Sequence, residues 1–346
     1  MKSILITGGA GFIGSHTAIS LLDKDYRLTI IDSLINSSYK TIERLNKLYP
    51  KNQINFHKGD IRDIFFLKKI FKNAFILGHP IDYVIHFAGL KSVADSFSRK
   101  DKYWDINVNG TKNLLQVMAE NKCFKIVFSS SASVYSQEVI SPIGEGSKVE
   151  ANNPYGETKL EVERILEVLQ KSDDSDWKII CLRYFNPIGA HSSGFLGEDP
   201  TDKPNNLFPL LCQAANQNGG KLYIYGRDWP TPDGTCIRDY IHVQDLAEGH
   251  VASLEFLKKE NQKSLFVILN LGTGKGTSVL NLINIFEKVN NVKVNFQFSE
   301  RRIGDKAIVY ADINKALELI NWKPQKTIED MCKDGWKWNL KKIFQN

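Results

Sequence analysis

A short apolar, β-branched run at residues 3–7 leads into Gly8-Gly9-Ala10-Gly11-Phe12-Ile13-Gly14, and an apolar pattern of helical period follows over residues 15–25. A strand, a glycine loop and a helix in that order open a parallel α/β sheet. The glycines let backbone N–H groups reach a ligand, and the helix start favours negative charge. Both G-x-G-x-x-G (Gly9, Gly11, Gly14) and G-x-x-G-x-x-G (Gly8, Gly11, Gly14) are readable here, and in this context they point to the pyrophosphate of a dinucleotide. The next strand, residues 28–31, ends at Asp32, 18 residues past Gly14. A carboxylate there accepts both ribose hydroxyls of NAD and repels the additional phosphate of NADP, so NAD is the expected cofactor.

The alternation continues with a helix at 40–48, a strand at 53–57 ending in Gly59-Asp60, and a helix at 62–71. A strand at 82–87 ending in Ala88-Gly89, a long helix at 102–120 and a strand at 124–128 come next. This predicts an α/β fold built on a doubly wound parallel Rossmann sheet with both faces covered. Ligands of such sheets sit beyond the carboxyl ends of the strands, where Gly9, Asp32, Asp60, Ala88 and Ser129 all fall. Ser129-Ser130-Ser131-Ala132-Ser133 places a cluster of hydroxyls at one such end; serines also favour turns, and position alone leaves both readings open.

The chemistry is concentrated in Asn153-Pro154-Tyr155-Gly156-Glu157-Thr158-Lys159. Asn152 or Asn153 suits a helix cap and Pro154 the first helical position, so Tyr155 and Lys159 share one helix face. A tyrosine titrates near pH ~10, so bringing it to neutrality takes about 3 units, or roughly 4 kcal/mol. One neighbouring cation shifts a partner by about 1–3 units, so an activated phenol here needs a second fixed positive charge besides Lys159.

Composition excludes several classes. The 346 residues allow one large domain or two, and 42% apolar with 24% charged residues is ordinary for a globular chain. The net charge of +6 is spread without blocks, which argues against nucleic acid as a partner. Five cysteines without a C-x-x-C pair suggest neither a disulfide framework nor zinc, and they read as buried thiols in a reducing cytoplasm. The histidines show no ligand spacing, so no metal is expected. The amino terminus is too short in apolar residues for a signal peptide, and no run approaches the ~18 residues that span a bilayer.

The second half is organised differently. A strand at 178–183 leads into a glycine- and proline-rich stretch at 189–204, read as a binding loop, before a helix at 207–215 and a strand at 222–225. A second loop runs from Asp228 to Arg238. It is followed by a helix at 244–257, a strand at 266–270 and helices at 279–289 and 327–343, which together read as a smaller mixed α/β lid. The expected division is an NAD-binding domain at 1–185, with a return segment near 236–260, and a mainly substrate-binding domain at 186–346.

Taken together, the glycine loop, Asp32, His86-Phe87-Ala88-Gly89, Asn107-Val108-Asn109-Gly110-Thr111, Ser129-Ser130-Ser131 and the Tyr155/Lys159 pair resemble the extended short-chain dehydrogenase/reductase family. Leu182 through His191, Pro204-Asn205-Asn206-Leu207, Pro232 through Thr235, Arg238 through Val243 and Arg302-Ile303-Gly304-Asp305 resemble its UDP-glucose 4-epimerases, over essentially the whole chain. The resemblance implies Ser131, Tyr155 and Lys159 as the catalytic set. It implies Gly8, Gly11, Phe12, Ile13, Gly14, Asp32, Ser33, Asn36, Ser37, Asp60, Ile61, Phe87, Ala88, Gly89, Lys91 and Phe185 around NAD, whose oxidised ring is the second positive charge. It further implies Asn186, Asn206, Leu207, Tyr223, Tyr225, Arg238, Tyr240, Arg302, Asp305 and Val309 around a UDP-hexose, with Lys91, Ser131 and Tyr155 at the sugar, and it suggests a homodimer through the helices near 102–120 and 155–170.

Three residues depart from the family pattern. Ile106 stands where an asparagine beside the cofactor is common, Ile303 replaces an acid, and Val309 stands where a bulky tyrosine excludes N-acetyl groups in some members. The implied reaction is reversible epimerisation at carbon 4 through a 4-keto sugar. A dehydratase of the superfamily needs an Asp-Glu pair where Ala132-Ser133 stand; a UDP-glucuronate epimerase or decarboxylase, another nucleotide-sugar enzyme, or a non-catalytic NAD-sensing protein are the remaining alternatives.

Overall fold

A computed structural model of the chain describes residues 1–50, 54–199, 204, 206–216, 220–302 and 304–343. Its opening strand β1 (Ser3–Thr7) is wholly buried, and helix α1 (Phe12–Leu22) begins directly after Gly11, three residues before the apolar period suggests. Strands β2 (Arg27–Asp32), β3 (Ile54–Lys58), β4 (Tyr83–His86), β5 (Lys125–Ser131) and β6 (Lys178–Tyr184) follow, and with Leu265–Leu271 they form a seven-stranded sheet. The order is Leu265–Leu271, β6, β5, β4, β1, β2, β3; β1 pairs in parallel with β2 and β4, β2 with β3, and β4 with β5. The expected strand start at Gln53 lies outside the described residues.

Strands β1, β4, β5 and β6 carry runs of buried apolar residues because both faces are covered: Leu5, Val84, Ile126 and Ile179 are each 0% exposed. Each such side chain stabilises the fold by about 1.5–3 kcal/mol. Helices α2 (Tyr39–Leu48) and α3 (Ile64–Ile76) are capped by the side chains of Ser38 and Asp63, and each buries one stripe, Thr41, Ile42 and Leu45 in the first and Leu67, Ile70 and Phe71 in the second.

The long helix expected at 102–120 is interrupted. After α4 (Val93–Ser98), α5 (Lys100–Trp104) runs into a π-helical turn at Asp105–Asn109 before α6 (Gly110–Glu120) resumes. Within this turn Asn107 is buried, its amide oxygen accepting from Leu90 N at 2.8 Å and its amide nitrogen donating to Leu90 O at 3.1 Å and to Thr158 Oγ1 at 3.0 Å. π turns recur at functional sites, and this one ties the loop after β4 to helix α7 (Pro154–Lys171).

The chain divides into two compact units, the first being Met1–Ser136, Val149–Arg183 and Ala247–Leu269, the second Gln137–Lys148, Tyr184–Leu246 and Asn270–Asn346. Gln137–Lys148 belongs to the second because its backbone is engaged there: Ile143 N donates to Tyr310 O at 2.9 Å, and Lys306 Nζ donates to Val139 O. Among the described residues, the second unit holds three small sheets. Asn186–Ile188 pairs in parallel with Tyr240–His242, and Leu222–Tyr225 with Phe296–Ser299; Thr277–Ser278, Ile237–Arg238 and Ile308–Val309 make the third. Its core gathers Phe208, Leu211, Leu282, Phe286 and Trp336 from helices Leu207–Ala215, Val279–Asn290 and Ile328–Ile343. Helices α4 and Asn314–Ile320 were not foreseen.

Candidate active site

In the first unit, the glycine loop is shaped by close approach. Gly8 has φ +70° and a Cβ on it would stand 2.6 Å from Ala88 N, while one on Gly14 would stand 2.5 Å from Gly8 O. No side chain at Gly11 caps α1, so the N–H groups of its first turn, at Phe12, Ile13 and Gly14, face the loop as donors for an anion. Beside them Asp32 is buried, its carboxylate accepting from Ala10 N at 3.0 Å, Leu34 N at 2.9 Å and Ser37 Oγ at 2.8 Å. Burial pushes this carboxyl up, against the hydrogen bonds from Leu34, Ser37 and Ala10. A cradle with no room for side chains, a helix start and a fixed carboxylate fit a dinucleotide's pyrophosphate and ribose.

Ser33 is half-buried and Asn36 exposed in the turn after β2, and Lys91 is exposed after β4. Phe87, Ala88 and Gly89 continue from β4, with the Phe87 ring 4.7 Å from that of His250. Asp60 is differently employed: both its oxygens receive Arg62, at 2.7 and 3.1 Å, and the same guanidinium reaches Asp105 at 2.8 Å. Ile61 is buried in the core. Side-chain capacity at Asp60 is thus largely committed to Arg62, two residues away.

Around the hydroxyl cluster, Asn153 caps α7 by accepting from Gly156 N at 2.8 Å. Tyr155 packs against an apolar cluster of Leu90, Tyr103 and Ile106, and burial raises its phenol above the ordinary value, opposed by a hydrogen bond with Ser131. Ser131 Oγ also accepts from Ser133 N at 3.2 Å. Lys159 donates to Ser129 O at 2.7 Å, with its Nζ 5.9 Å from the Tyr155 ring centroid and 4.9 Å from that of Phe128. Burial brings its ammonium down to about 8, with the charge of Glu163 acting the other way. The expected trio is therefore assembled, and within the chain Ser131 is the group that lowers the phenol.

Sequence reasoning missed what lies beneath it. Glu163 Oε1 accepts from Ser130 Oγ at 2.5 Å and from Arg183 Nε at 3.0 Å, and its Oε2 meets Arg183 Nη2 at 2.6 Å. A second network runs through His86. Ala88 N donates to Thr7 Oγ1 at 3.2 Å, and Thr111 Oγ1 donates to Asn107 O at 2.5 Å. With the Thr111 proton so used, His86 Nε2 donates to Thr111 at 2.8 Å and Nδ1 accepts from Thr7 at 2.6 Å, a neutral tautomer assigned by its partners. Burial, then the charge of Lys159, lowers this imidazole to about 3.

In the second unit the parallel pairing of Val309 with Arg238 sets those two side by side. Arg238 Nη2 lies 3.6 Å from Asp305 Oδ1, and its Nη1 donates to Lys306 O at 2.8 Å. The Arg302 guanidinium stacks 4.0 Å from the Tyr225 ring centroid, in the strand that also carries the exposed Tyr223. Between Arg238 and Tyr240 the buried Asp239, also missed, accepts from Thr273 N at 2.7 Å, Gly274 N at 3.0 Å and Ala311 N at 3.1 Å, fixing the loops on which this group stands.

Other expected residues of this unit have different surroundings. Asn186 pairs in register with Tyr240, whose ring is in the core and whose hydroxyl has no hydrogen-bond partner among the described residues. Asn206 donates to Glu198 Oε1 at 2.9 Å at the start of its helix, Leu207 packs on the core, and Phe185 is buried. Ile303 lies outside the described residues.

The profile of the NAD dependent epimerase/dehydratase family matches residues 4–272. UDP-glucose 4-epimerase 2 of Arabidopsis thaliana is 47% identical over 339 residues, 97% of this chain and 95% of that protein. Two solved structures superpose over nearly all of both chains. UDP-glucose 4-epimerase from Stenotrophomonas maltophila with bound NAD and formylated UDP-arabinopyranose has a TM-score of 0.94 at 41% identity, covering 100% of each chain. UDP-glucose 4-epimerase from Bifidobacterium longum in complex with NAD+ and UDP has a TM-score of 0.91 at 42% identity, covering 99% of each. With its glycine cradle, its Tyr155/Lys159 helix and these relatives, the chain belongs to the NAD dependent epimerase/dehydratase family, among its UDP-glucose 4-epimerases.

Proposed function

We propose that this chain catalyses reversible, NAD-dependent epimerisation at carbon 4 of UDP-hexoses, interconverting UDP-glucose and UDP-galactose. The observation that carries the reading is the half-buried Tyr155, its phenol joined to Ser131 at the end of β5, in the unit that also holds the glycine cradle and Asp32. When bound, NAD supplies the site that takes a hydride from carbon 4 and returns it, with no net redox change. Gly8, Gly11 and the N–H groups of Phe12, Ile13 and Gly14 hold its pyrophosphate. Asp32, with Ser33, Asn36 and Ser37 on the following turn, holds the ribose, and residues 60–61 and 87–89 of the same unit complete its surroundings.

Tyr155 removes the proton from the 4-hydroxyl and later returns one, and Ser131 donates a hydrogen bond to the oxygen as charge develops on it. Lys159 contributes a fixed cation beside the phenol. Arg238 and Arg302 supply guanidinium forks for the diphosphate, Tyr225 an aromatic face for uracil, and Asp305 holds Arg238 in place. Because the hexose hangs from its nucleotide, it is free to turn and present its other face.

Val309 is a small residue beside Arg238, which supports a wider range that includes UDP-GlcNAc and UDP-GalNAc. All five cysteines are free and buried, as suits a reducing cytoplasm, and the exposed Trp104 and Val168 on α5 and α7 support a homodimer through those helices. The test of the catalytic reading is Tyr155→Phe. This variant should retain bound NAD and lose epimerisation by about 100-fold or more, as for removal of an acid–base group; full activity in it would sink the reading.

A further inference from the structure

We propose that Glu163 is a positioning residue of this site: clamped between Arg183 and Ser130, its carboxylate keeps Lys159 in the ammonium form that Tyr155 needs. The proposal rests on the reading of Tyr155 and Lys159 above. Tyr155, Lys159 and Glu163 follow one another at four-residue intervals on α7, so all three share one helix face. Lys159 is 5% exposed, Glu163 3% and Arg183 2%, so their charges act on one another through protein rather than water. A lone buried ammonium with one carbonyl partner, Ser129 O, is costly and tends to shed its proton.

Among the described residues, the groups that bear on Lys159 come from three elements. On α7 these are Tyr155 and Glu163; on β5, the Ser129 carbonyl and the Phe128 ring; and on β4, His86, held neutral, while Arg183 of β6 bears on it through Glu163. Glu163 is the one acid in that set. Its orientation is not left to rotamer choice, because Arg183 grips both oxygens as a fork and Ser130 holds one of them. The Arg183 guanidinium is itself set against the Tyr135 ring at 4.8 Å. Removing the carboxylate alone takes the Glu163 charge away from two buried cations, Arg183 and Lys159, and of the two the lysine is the one able to deprotonate.

The test compares wild type, Glu163→Gln, Glu163→Asp and the double variant Glu163→Gln/Arg183→Met. Two readouts are followed against pH: kcat for UDP-galactose, and the 13Cε resonance of Lys159, assigned by its loss in Lys159→Met. In Glu163→Gln the alkaline limb of kcat and the lysine titration should both move to lower pH by about 1 unit or more, with kcat at the wild-type limb falling about tenfold and KM little changed. Glu163→Asp should restore the limb close to wild type. The double variant, which leaves no unpaired partner charge, should fall between, and it carries the test if the single variant does not fold. A folded Glu163→Gln, or failing that a folded double variant, whose lysine titrates at the wild-type pH would overturn the proposal and leave the pair a structural ion pair. Should wild type leave UDP-sugars unchanged, the catalytic reading fails by itself, and the resonance still decides the role of Glu163.

Discussion

His86 shows how much of this site is held by neutral groups. Its folded value is lowered to about 3 from 6.5, so the folded protein keeps it uncharged while an unfolded chain protonates it in mild acid. Its contribution to stability is complete above pH 6.5 and is lost as pH falls towards 3, with a slope of up to about 1.4 kcal/mol per unit. Urea unfolding at pH 4 to 7 should show wild type losing stability more steeply than His86→Gln by about that slope; parallel lines would mean the imidazole is not the group concerned. Ile106 acts on the phenol from the other side, as part of the apolar cluster against Tyr155. Ile106→Asn should lower the Tyr155 value and carry the acid limb of kcat to lower pH, measurable in a single pH profile. Tyr155 and Lys159 were legible in the sequence because their relation is local. Glu163 was not, since its partners Arg183 and Ser130 are 20 and 33 residues away. At Asp60 strand-end position suggests a ligand carboxylate; both its oxygens also receive Arg62, a local pairing that position alone conceals.

Helix α7 is the element that carries the proposed acid–base pair, and its start is capped by one side chain. Asn153→Ala removes the bond to Gly156 N and should cost about 1 kcal/mol in unfolding free energy, with a further loss of kcat as Tyr155 loosens. The glycine loop is less forgiving. A methyl group at Gly14 would meet Gly8 O at 2.5 Å and Gly9 Cα at 2.9 Å, both backbone atoms that cannot swing aside. Gly14→Ala should therefore be purified without NAD, as read from the nucleotide released on denaturation, while wild type carries it. Alternating strands and helices in the first unit were readable because the buried strands carry apolar runs and helices such as α2 and α3 show a stripe. The π turn at Asp105–Asn109 was hidden because one extra residue in a single turn leaves the apolar pattern nearly intact; the backbone bond from Gly110 N to Asp105 O reveals it, with Asn107 bonding inward.

Across the whole molecule, the first unit follows from local pattern and the second from distant pairings. Arg238 meets Val309 and Asp305, and Gln137–Lys148 pairs with residues beyond 300, through sequence separations that no periodicity announces. What could be read there came from whole motifs rather than from spacing, and motifs do not tell that the ring of Tyr240, expected at the ligand, packs in the core. The small residue at 309 belongs to this scale because the gating proposed for it concerns which sugars the molecule accepts. Val309→Tyr should abolish interconversion of UDP-GlcNAc and UDP-GalNAc while sparing UDP-glucose and UDP-galactose, and equal loss on both pairs would refute the gating argument. The central claim is that one bound NAD serves every turnover while Tyr155 gives and takes the same proton. It is tested most directly by incubating the purified protein with UDP-galactose and no added NAD. Steady conversion to a UDP-glucose/UDP-galactose equilibrium, with bound nucleotide retained, is the predicted result; a protein that carries NAD and leaves UDP-galactose unchanged would contradict it.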